Sequence, residues 1–495
     1  MRRLVRSTAI LGIGSAATVV AAILRAKILA AWLGPEGTGV LAQLASLTAV
    51  LVPLATLGAG SGIVAMIADA RARGDLARVR RITRTATTLG WSAGLGLAVL
   101  AAALSPWLAG GIYRDREFIW AILFGAASIP LAAVASLQIT MLQGHQAVRA
   151  MAALNGMIAA AGIATVVPMA WFFGVKGAVA QLVVIAATHA WLSGRFLAPL
   201  TPRAAPAQAP GAAPAPEPRI DRGLLRPIAR FGGSALLVGL SSTLTLLVLR
   251  SILVGKLGLA QNGIYQVCVG VSGLTMPLIL NSITATVWPE IASKPRDADA
   301  VGPMAGAVRL AFLLVTALSA ALLVGAPIWI PLFYSGKFLA ALDLLPYQFL
   351  GDYFRAAAWM FGIWLVPRER LRPWVLFDVV YGIVLLAVFA LLVDRIGIRS
   401  VVFAYVAAHV SHAVLHYALA RRALGFRLGP ENRLLLGASL ALLVGLTLLQ
   451  PRDLTGVLIG GAAVAAWAGV VVRRREWNTL VEMASRFLGV RGATP

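Results

Sequence analysis

The stretch "FGVKGAVAQLVVIAATHAW" (173–191) has a counterpart in "IGIRSVVFAYVAAHVSHAV" (396–414). Gly174 falls on Gly397, Lys176 on Arg399 and His189 on His412, all at an offset of 223. The same offset carries Arg149 onto Arg372 and Asn155 onto Asp378. Nearer the start, "LGPEGTGV" (33–40) matches "LGLAQNGI" (257–264) at an offset of 224. Apolar helices resemble one another by chance, but chance does not keep returning the same offset. The chain is therefore read as two halves built to one plan.

Composition says what the halves are made of. Of 495 residues, 59% are hydrophobic and 13% charged, and the mean hydropathy is +0.85. Crossing about 30 Å of hydrocarbon takes about 20 apolar residues, and such runs recur along the whole chain. Their limits are near 8–33, 38–66, 84–106, 118–142, 150–173, 177–197, 231–255, 262–287, 304–328, 340–366, 373–393, 398–419, 433–449 and 455–472, about fourteen in all. The expected fold is all-α and polytopic. The opening "MRRLVR" resembles the start of a secretory signal, but its apolar run continues through Leu33 without a cleavage site, so it is read as a retained first span. The single cysteine, Cys268, excludes an internal disulfide and a cysteine-based metal cluster.

A net charge of +24 in a soluble protein would suggest nucleic acid. Here the basic residues crowd into alternate loops, as in "RARGDLARVRRITR" (71–84), "RRALGFR" (421–427) and "RRR" (473–475). That is the positive-inside bias of a membrane protein, and it places both termini in the cytoplasm. No nucleic acid partner is expected.

Six spans separate the matching segments, and an even number preserves direction across the bilayer. Such repeats are related by an axis along the membrane normal and enclose a midplane site. The expected organisation is a six-helix lobe (1–197), a Pro/Ala-rich cytoplasmic linker (198–223), a second six-helix lobe (224–420), two additional spans (421–472) and a basic amphipathic cytoplasmic tail (473–495). The linker "APLTPRAAPAQAPGAAPAPEPRIDRG" suits a semi-extended connector. The tail "RRREWNTLVEMASRFLGVRG" (473–492) suits a helix lying on the membrane surface.

Ionisable residues within spans are costly and point to function. They are Arg25 and Lys27 in span one, Arg250 in span seven, Asp352 and Arg355 in span ten, Asp378 in span eleven, and His189, His409, His412 and His416 in spans six and twelve. Arg25 and Arg250 begin about 12 Å from the outer boundary at 1.5 Å rise per residue, deep enough for a cavity role but also within partial reach of the interface by snorkelling. Superposing the repeat places Arg250 within one or two residues of both Arg25 and Lys27. Lys27 projects about 200° from Arg25 on an ideal helix, so the two cannot serve one cavity equally. Asp352 and Arg355, at i and i+3, either neutralise each other or exchange partners with an anionic ligand. Asp378 and the histidines are candidates for proton coupling, with packing and hydrogen bonding as the competing reading. Four cations against two acids argue for an anionic ligand, and pyrophosphate fits the planar guanidinium fork. The candidate substrate-binding residues are therefore Arg25, Arg250, Arg355, Lys27 and Asp352, and the candidate coupling residues are Asp378, His189 and His412. No cofactor, metal site or catalytic residue is expected, and no G-x-x-x-x-G-K-[ST] segment offers nucleotide binding.

The blocks "KILAAWLGPEGTGVLAQ" (27–43), "LQGHQAVRAMAALN" (142–155) and "GVKGAVAQ" (174–181) resemble the polysaccharide-transporter branch of the MOP superfamily, the O-antigen and lipid-linked oligosaccharide flippases. The resemblance covers about residues 5–425 in layout. It implies two six-helix bundles with alternating access, a polyprenyl-pyrophosphate-linked glycan as substrate, contact with membrane lipids, polysaccharide polymerase and assembly proteins as partners, a monomer, and the bacterial inner membrane. Arg25 is also similar in placement to a cavity arginine of the more distant lipid II flippases, but Ala26 stands where those usually have Asp. A lipid II flippase and a multidrug exporter of the same superfamily stay open as alternatives. A membrane-embedded polymerase or ligase would need a substantial external loop with an acid/base set, and the external connections are short.

Overall fold

The computed structural model describes residues 2–202, 220–473 and 476. The linker stretch 203–219, residues 474–475 and the tail after 476 lie outside the described residues. The described chain is helical: α1 (Arg2–Ala55), α2 (Gly60–Ala72), α3 (Leu76–Ala103), α4 (Ser105–Ile112), α5 (Ile119–Gly144), α6 (Val148–Leu197), α7 (Arg222–Leu257), α8 (Leu259–Ala292), α9 (Val301–Phe333), α10 (Leu345–Gly362), α11 (Leu371–Ile396), α12 (Arg399–Leu424), α13 (Pro430–Leu449) and α14 (Leu454–Val471). Eleven helices among the described residues are long and apolar enough to cross a membrane. Two of these, α1 and α6, are each a pair of helices joined at a kink, and α10 is too polar to be counted with the rest, so the arrangement is consistent with fourteen spans.

The repeat is written into the backbone as well as the side chains. Gly34, inside α1, has φ 65° and ψ −170°, and its counterpart Gly258, between α7 and α8, has φ 86° and ψ 170°. Gly174, inside α6, and Gly397, between α11 and α12, have φ 56° and 57°. These positive φ values are cheap only for glycine. Pro35 follows Gly34 directly, and its fixed φ suits the first position of the helix that restarts there.

Two sequence-based boundaries shift. The span expected over 38–66 is interrupted: α1 stops at Ala55, and α2 restarts at Gly60. Pro53 removes a backbone donor and crowds the preceding turn, and Leu57 and Gly58 then take φ 53° and 62°. Gly232 of α7 packs into this break, where a Cβ on Gly58 would lie 2.8 Å from Leu236 Cβ. The span expected over 340–366 is likewise shorter, a 3-10 segment Gly336–Asp343 leading into α10 with Pro346 in its first turn.

The chain forms two compact units. The first is Met1–Val267 with Ile330–Leu339 and Phe389–Ile398; the second is Cys268–Trp329 with Ala340–Val388 and Arg399–Pro495. In the first, α5 packs on α3 and α6, α1 lies along α6, and α7 lies against α1 and α2. One core gathers Ile63, Ile67, Val79, Ile82, Leu137, Met141 and Leu142 with Leu224 and Ile228 of α7. In the second, α10 packs on α12 and α13, and α13 pairs with α14. Gly351 and Gly362 leave room on α10 for the rings of Tyr405 and His416 on α12. The end of α14 is tied down by Arg309, whose Nε and Nη2 donate to Glu476 at 2.5 and 2.8 Å, Nη2 also reaching the Val471 carbonyl at 2.9 Å.

Candidate functional site

In the first unit, α1 and α6 hold Arg25. Its Nη2 donates to Gln181 Oε1 at 2.8 Å, and Gln181 is itself oriented by donating to Thr165 Oγ1 at 3.1 Å and the Gly162 carbonyl at 3.4 Å. Arg25 Nε is buried without a partner, and among the described residues no carboxylate lies within ion-pairing distance of the guanidinium. A buried cation answered only by an amide keeps its full charge, and an anion nearby is what would lower its energy. Lys27 points elsewhere, Nζ donating to the Pro331 carbonyl at 2.9 Å, as the 200° separation requires.

Arg250 is placed differently from the expectation of a guanidinium open to a cavity. It is 1% exposed, with Nη1 donating to Asn262 Oδ1 at 2.8 Å and Nη2 to Gln266 Oε1 at 2.5 Å, and its Cζ lies 5.5 Å from the centre of the Tyr265 ring. Asn262 in turn donates to the Gly39 carbonyl at 2.9 Å. Gln43 of α1 donates to Ser251 Oγ at 2.9 Å and to the Ile112 carbonyl at 3.2 Å. Arg250 thus ties α7 to α8 and, through Asn262, to α1. Both terminal nitrogens are engaged by the protein, while Nε is buried without a partner among the described residues.

The helices it joins cross at glycines. A Cβ on Gly39 would run into the Leu259 carbonyl, and one on Gly263 into the Pro35 carbonyl. Positions 35 and 259, and 39 and 263, correspond at the offset of 224, so this crossing is a local twofold made by the repeat.

In the second unit, Asp352 is fully buried and accepts from Ser272 Oγ at 2.5 Å and Tyr405 OH at 2.8 Å. Its hydrogen bonds come from hydroxyls rather than from Arg355, which sits one turn along and within electrostatic reach. Asp378 Oδ1 lies 3.4 Å from His412 Nε2. His409 and His416 adjoin the same run of rings. His189 lies on α6 in the first unit, its Nε2 buried and without a partner.

A model of the family described as "Polysaccharide biosynthesis protein" matches residues 28–343. The chain belongs to this family. Among curated proteins it is similar to the Lipid III flippase of Escherichia coli (strain K12), 24% identical over 79% of this chain and 91% of the relative. Among solved structures it resembles an inward closed form of the lipid II flippase MurJ (TM-score 0.70, 11% identity, 94% of this chain and 98% of that one). It also resembles an inward-facing multidrug resistance MATE transporter (TM-score 0.68, 15% identity, 85% and 98%). The family match takes in His189 and Arg250. Arg25 and Lys27 lie just ahead of it, and Asp352, Arg355, Asp378 and the histidines of α12 lie beyond it.

The functional side chains that the search for charge passed over are amides and hydroxyls. Gln181 holds Arg25, Asn262 and Gln266 hold Arg250, and Ser272 and Tyr405 hold Asp352. A signal was present in "GVLAQ" (39–43) and "GAVAQ" (177–181), which end alike in a glutamine within an apolar span. Both glutamines are fully buried.

Proposed function

We propose that this transporter is a flippase moving undecaprenyl-pyrophosphate-linked oligosaccharide across the bacterial cytoplasmic membrane by alternating access. The observation that carries the reading is Arg25, a cation within a span whose one hydrogen-bonding partner among the described residues is the neutral Gln181. Gln181 holds the guanidinium in place without discharging it, leaving the planar fork for a pyrophosphate. Lys27 adds positive charge on the same helix at a different azimuth. The polyprenyl chain stays in the bilayer while the headgroup crosses. The likeness to a Lipid III flippase supports a lipid-linked cargo of this kind.

The working parts in this proposal are lobes 1–197 and 224–420, with the linker 198–223 on the cytoplasmic side. The two added spans (421–472) flank the second lobe. The crowding of basic residues into alternate loops supports cytoplasmic termini. The protein is a carrier that leaves its cargo chemically unchanged, and polymerising and assembly enzymes act on the glycan after delivery.

The test is a linkage series. The purified protein, in liposomes, is offered one fluorescent oligosaccharide on polyprenyl carriers through pyrophosphate, monophosphate or a neutral ether. Flipping in the order pyrophosphate, monophosphate, then ether at background is expected. Equal rates for pyrophosphate and ether would overturn the proposal.

A further inference from the structure

We propose that α10, α11 and α12 of the second unit enclose a one-proton site, centred on His412 and Asp378, whose loading couples translocation to a proton gradient. The coupling rests on the flippase reading above; the proton site does not.

Tyr405, His409, His412 and His416 step by four, three and four residues along α12, so they line one face over about 16 Å. The rings touch in series. Tyr405 to His409 is 4.4 Å between centroids, His409 to Tyr381 4.6 Å, Tyr381 to His412 5.7 Å, and His412 to His416 4.4 Å. A stripe made only for packing would leave no hydrogen-bonding atoms idle. Here His409 Nδ1, His412 Nε2 and His416 Nε2 are buried without hydrogen-bond partners, and buried polar nitrogens are normally satisfied. His416 Nδ1 is engaged by the His412 carbonyl at 3.0 Å. Among the described residues no three His, Cys, Asp or Glu side chains are arranged to hold a metal ion.

Each surrounding element contributes charge that can be counted. From α10 come Asp352 and Arg355, and Arg355 is within electrostatic reach of Asp352, Tyr405, Tyr381, His409 and His412. From α11 come Asp378 and Tyr381, and from α12 Tyr405, His409 and His416. From α8 come Ser272, bonded to Asp352, and the Cys268 thiol, within electrostatic reach of the same carboxyl. Asp352 and Arg355 cancel one another. What remains is Asp378, whose nearest basic group is His412 Nε2 at 3.4 Å, both side chains being mostly covered at 16% and 14% exposure.

With neutral imidazole and ionised carboxyl this pair carries one negative charge. One proton from solvent, held between Nε2 and Oδ1, brings it to neutrality, and nothing else is consumed. A buried site that is charged when empty and neutral when loaded gives the unit two states of different desolvation cost. That is the asymmetry a proton-coupled carrier needs.

The test uses full-length protein in two arms. In the first, infrared difference spectra between pH 5 and pH 8 report protonation with no substrate present. A carboxylic acid band is expected in the wild type, absent in Asp378→Asn and moved along the pH axis in His412→Asn. A spectrum unchanged by Asp378→Asn would overturn the site. In the second arm, liposomes flip the pyrophosphate-linked glycan with and without a gradient of one pH unit. One proton per lipid shifts the steady-state distribution about tenfold. That shift should vanish in Asp378→Asn and persist in Asp378→Glu, while gradient-free equilibration continues in both. A wild-type distribution indifferent to the gradient would overturn the coupling and leave the site standing. Failure of the wild type to flip the lipid at all would instead refute the flippase reading, with the infrared arm still deciding the proton site. Unfolding monitored through the buried Cys268 separates lost coupling from a lost fold.

Discussion

Replacing Gly263 by alanine tests the helix crossing that the repeat creates. The added Cβ would meet the Pro35 carbonyl, with its carbon at 2.7 Å and Gly39 N at 3.0 Å. Both neighbours are backbone, so no flexible side chain can swing aside, and α8 must withdraw from α1 by roughly 1 Å to restore ordinary contact. Overpacking of this kind costs about 1–3 kcal/mol. Withdrawal also stretches the bond from Asn262 to the Gly39 carbonyl, and a buried group left unpaired costs a further 1–3 kcal/mol or so. The expected total is about 2–6 kcal/mol. The assay is built into the chain: Cys268 is the single cysteine and is fully buried, so a maleimide dye lights up only as the fold opens. Gly263→Ala should melt several degrees below the wild type. Gly273→Ala, on the same helix but facing open space, should melt at or slightly above it, because alanine is the better helix former by up to about 1 kcal/mol. Adding Gly39→Ala to Gly263→Ala should cost less than the sum of the two, since helices already parted do not clash twice. A Gly263→Ala protein that melts with the wild type would refute the crossing.

Gly34→Ala and Gly258→Ala should each lower the melting temperature, since their φ of 65° and 86° put a side chain in a region costing about 1–3 kcal/mol; circular dichroism melts would check this. Arg250→Gln should reduce thermal stability while leaving the dependence of flipping on headgroup charge intact, because Arg250 bonds Asn262 and Gln266. A steady-state flipping series across linkages separates that outcome from a lost substrate contact. The Glu476 carboxyl is held below its ordinary 4.5, first by its hydrogen bond from Arg309. Its contribution is therefore complete above pH 4.5 and is lost as pH falls through the lowered value. Limited proteolysis of the region after α14 should accelerate in acid below that point, and Glu476→Gln should show the acid behaviour at neutral pH.

How much of this was legible beforehand depends on the kind of interaction. The glycine pairs Gly34 with Gly258 and Gly174 with Gly397 could be read from their offsets of 224 and 223, because backbone conformation leaves a residue-type signature. So could the positions of the buried charges. Their partners could not. Arg250 meets Asn262 and Gln266 only because the chain turns back at Gly258, which brings residues 12 and 16 positions on alongside it. Counting four cations against two acids treated Arg250 as open to a ligand, whereas two neutral amides engage its terminal nitrogens and the Tyr265 ring covers one face of a fully buried guanidinium. The interruption after Ala55 is marked by Pro53 and Gly58, but the apolar residues on either side read as one span. His412 and Asp378 share no local spacing, since they lie on adjacent helices and meet only through tertiary packing.

The central claim is that a positive charge at position 25 recognises the anionic headgroup. Its most direct measurement compares Arg25→Lys and Arg25→Gln in liposomes loaded with the pyrophosphate-linked glycan. Arg25→Lys should keep part of the flipping rate, and Arg25→Gln, folded and inserted as judged by Cys268 protection, should lose about tenfold or more, the equivalent of about 1.4 kcal/mol. Flipping by Arg25→Gln at the wild-type rate would contradict the account.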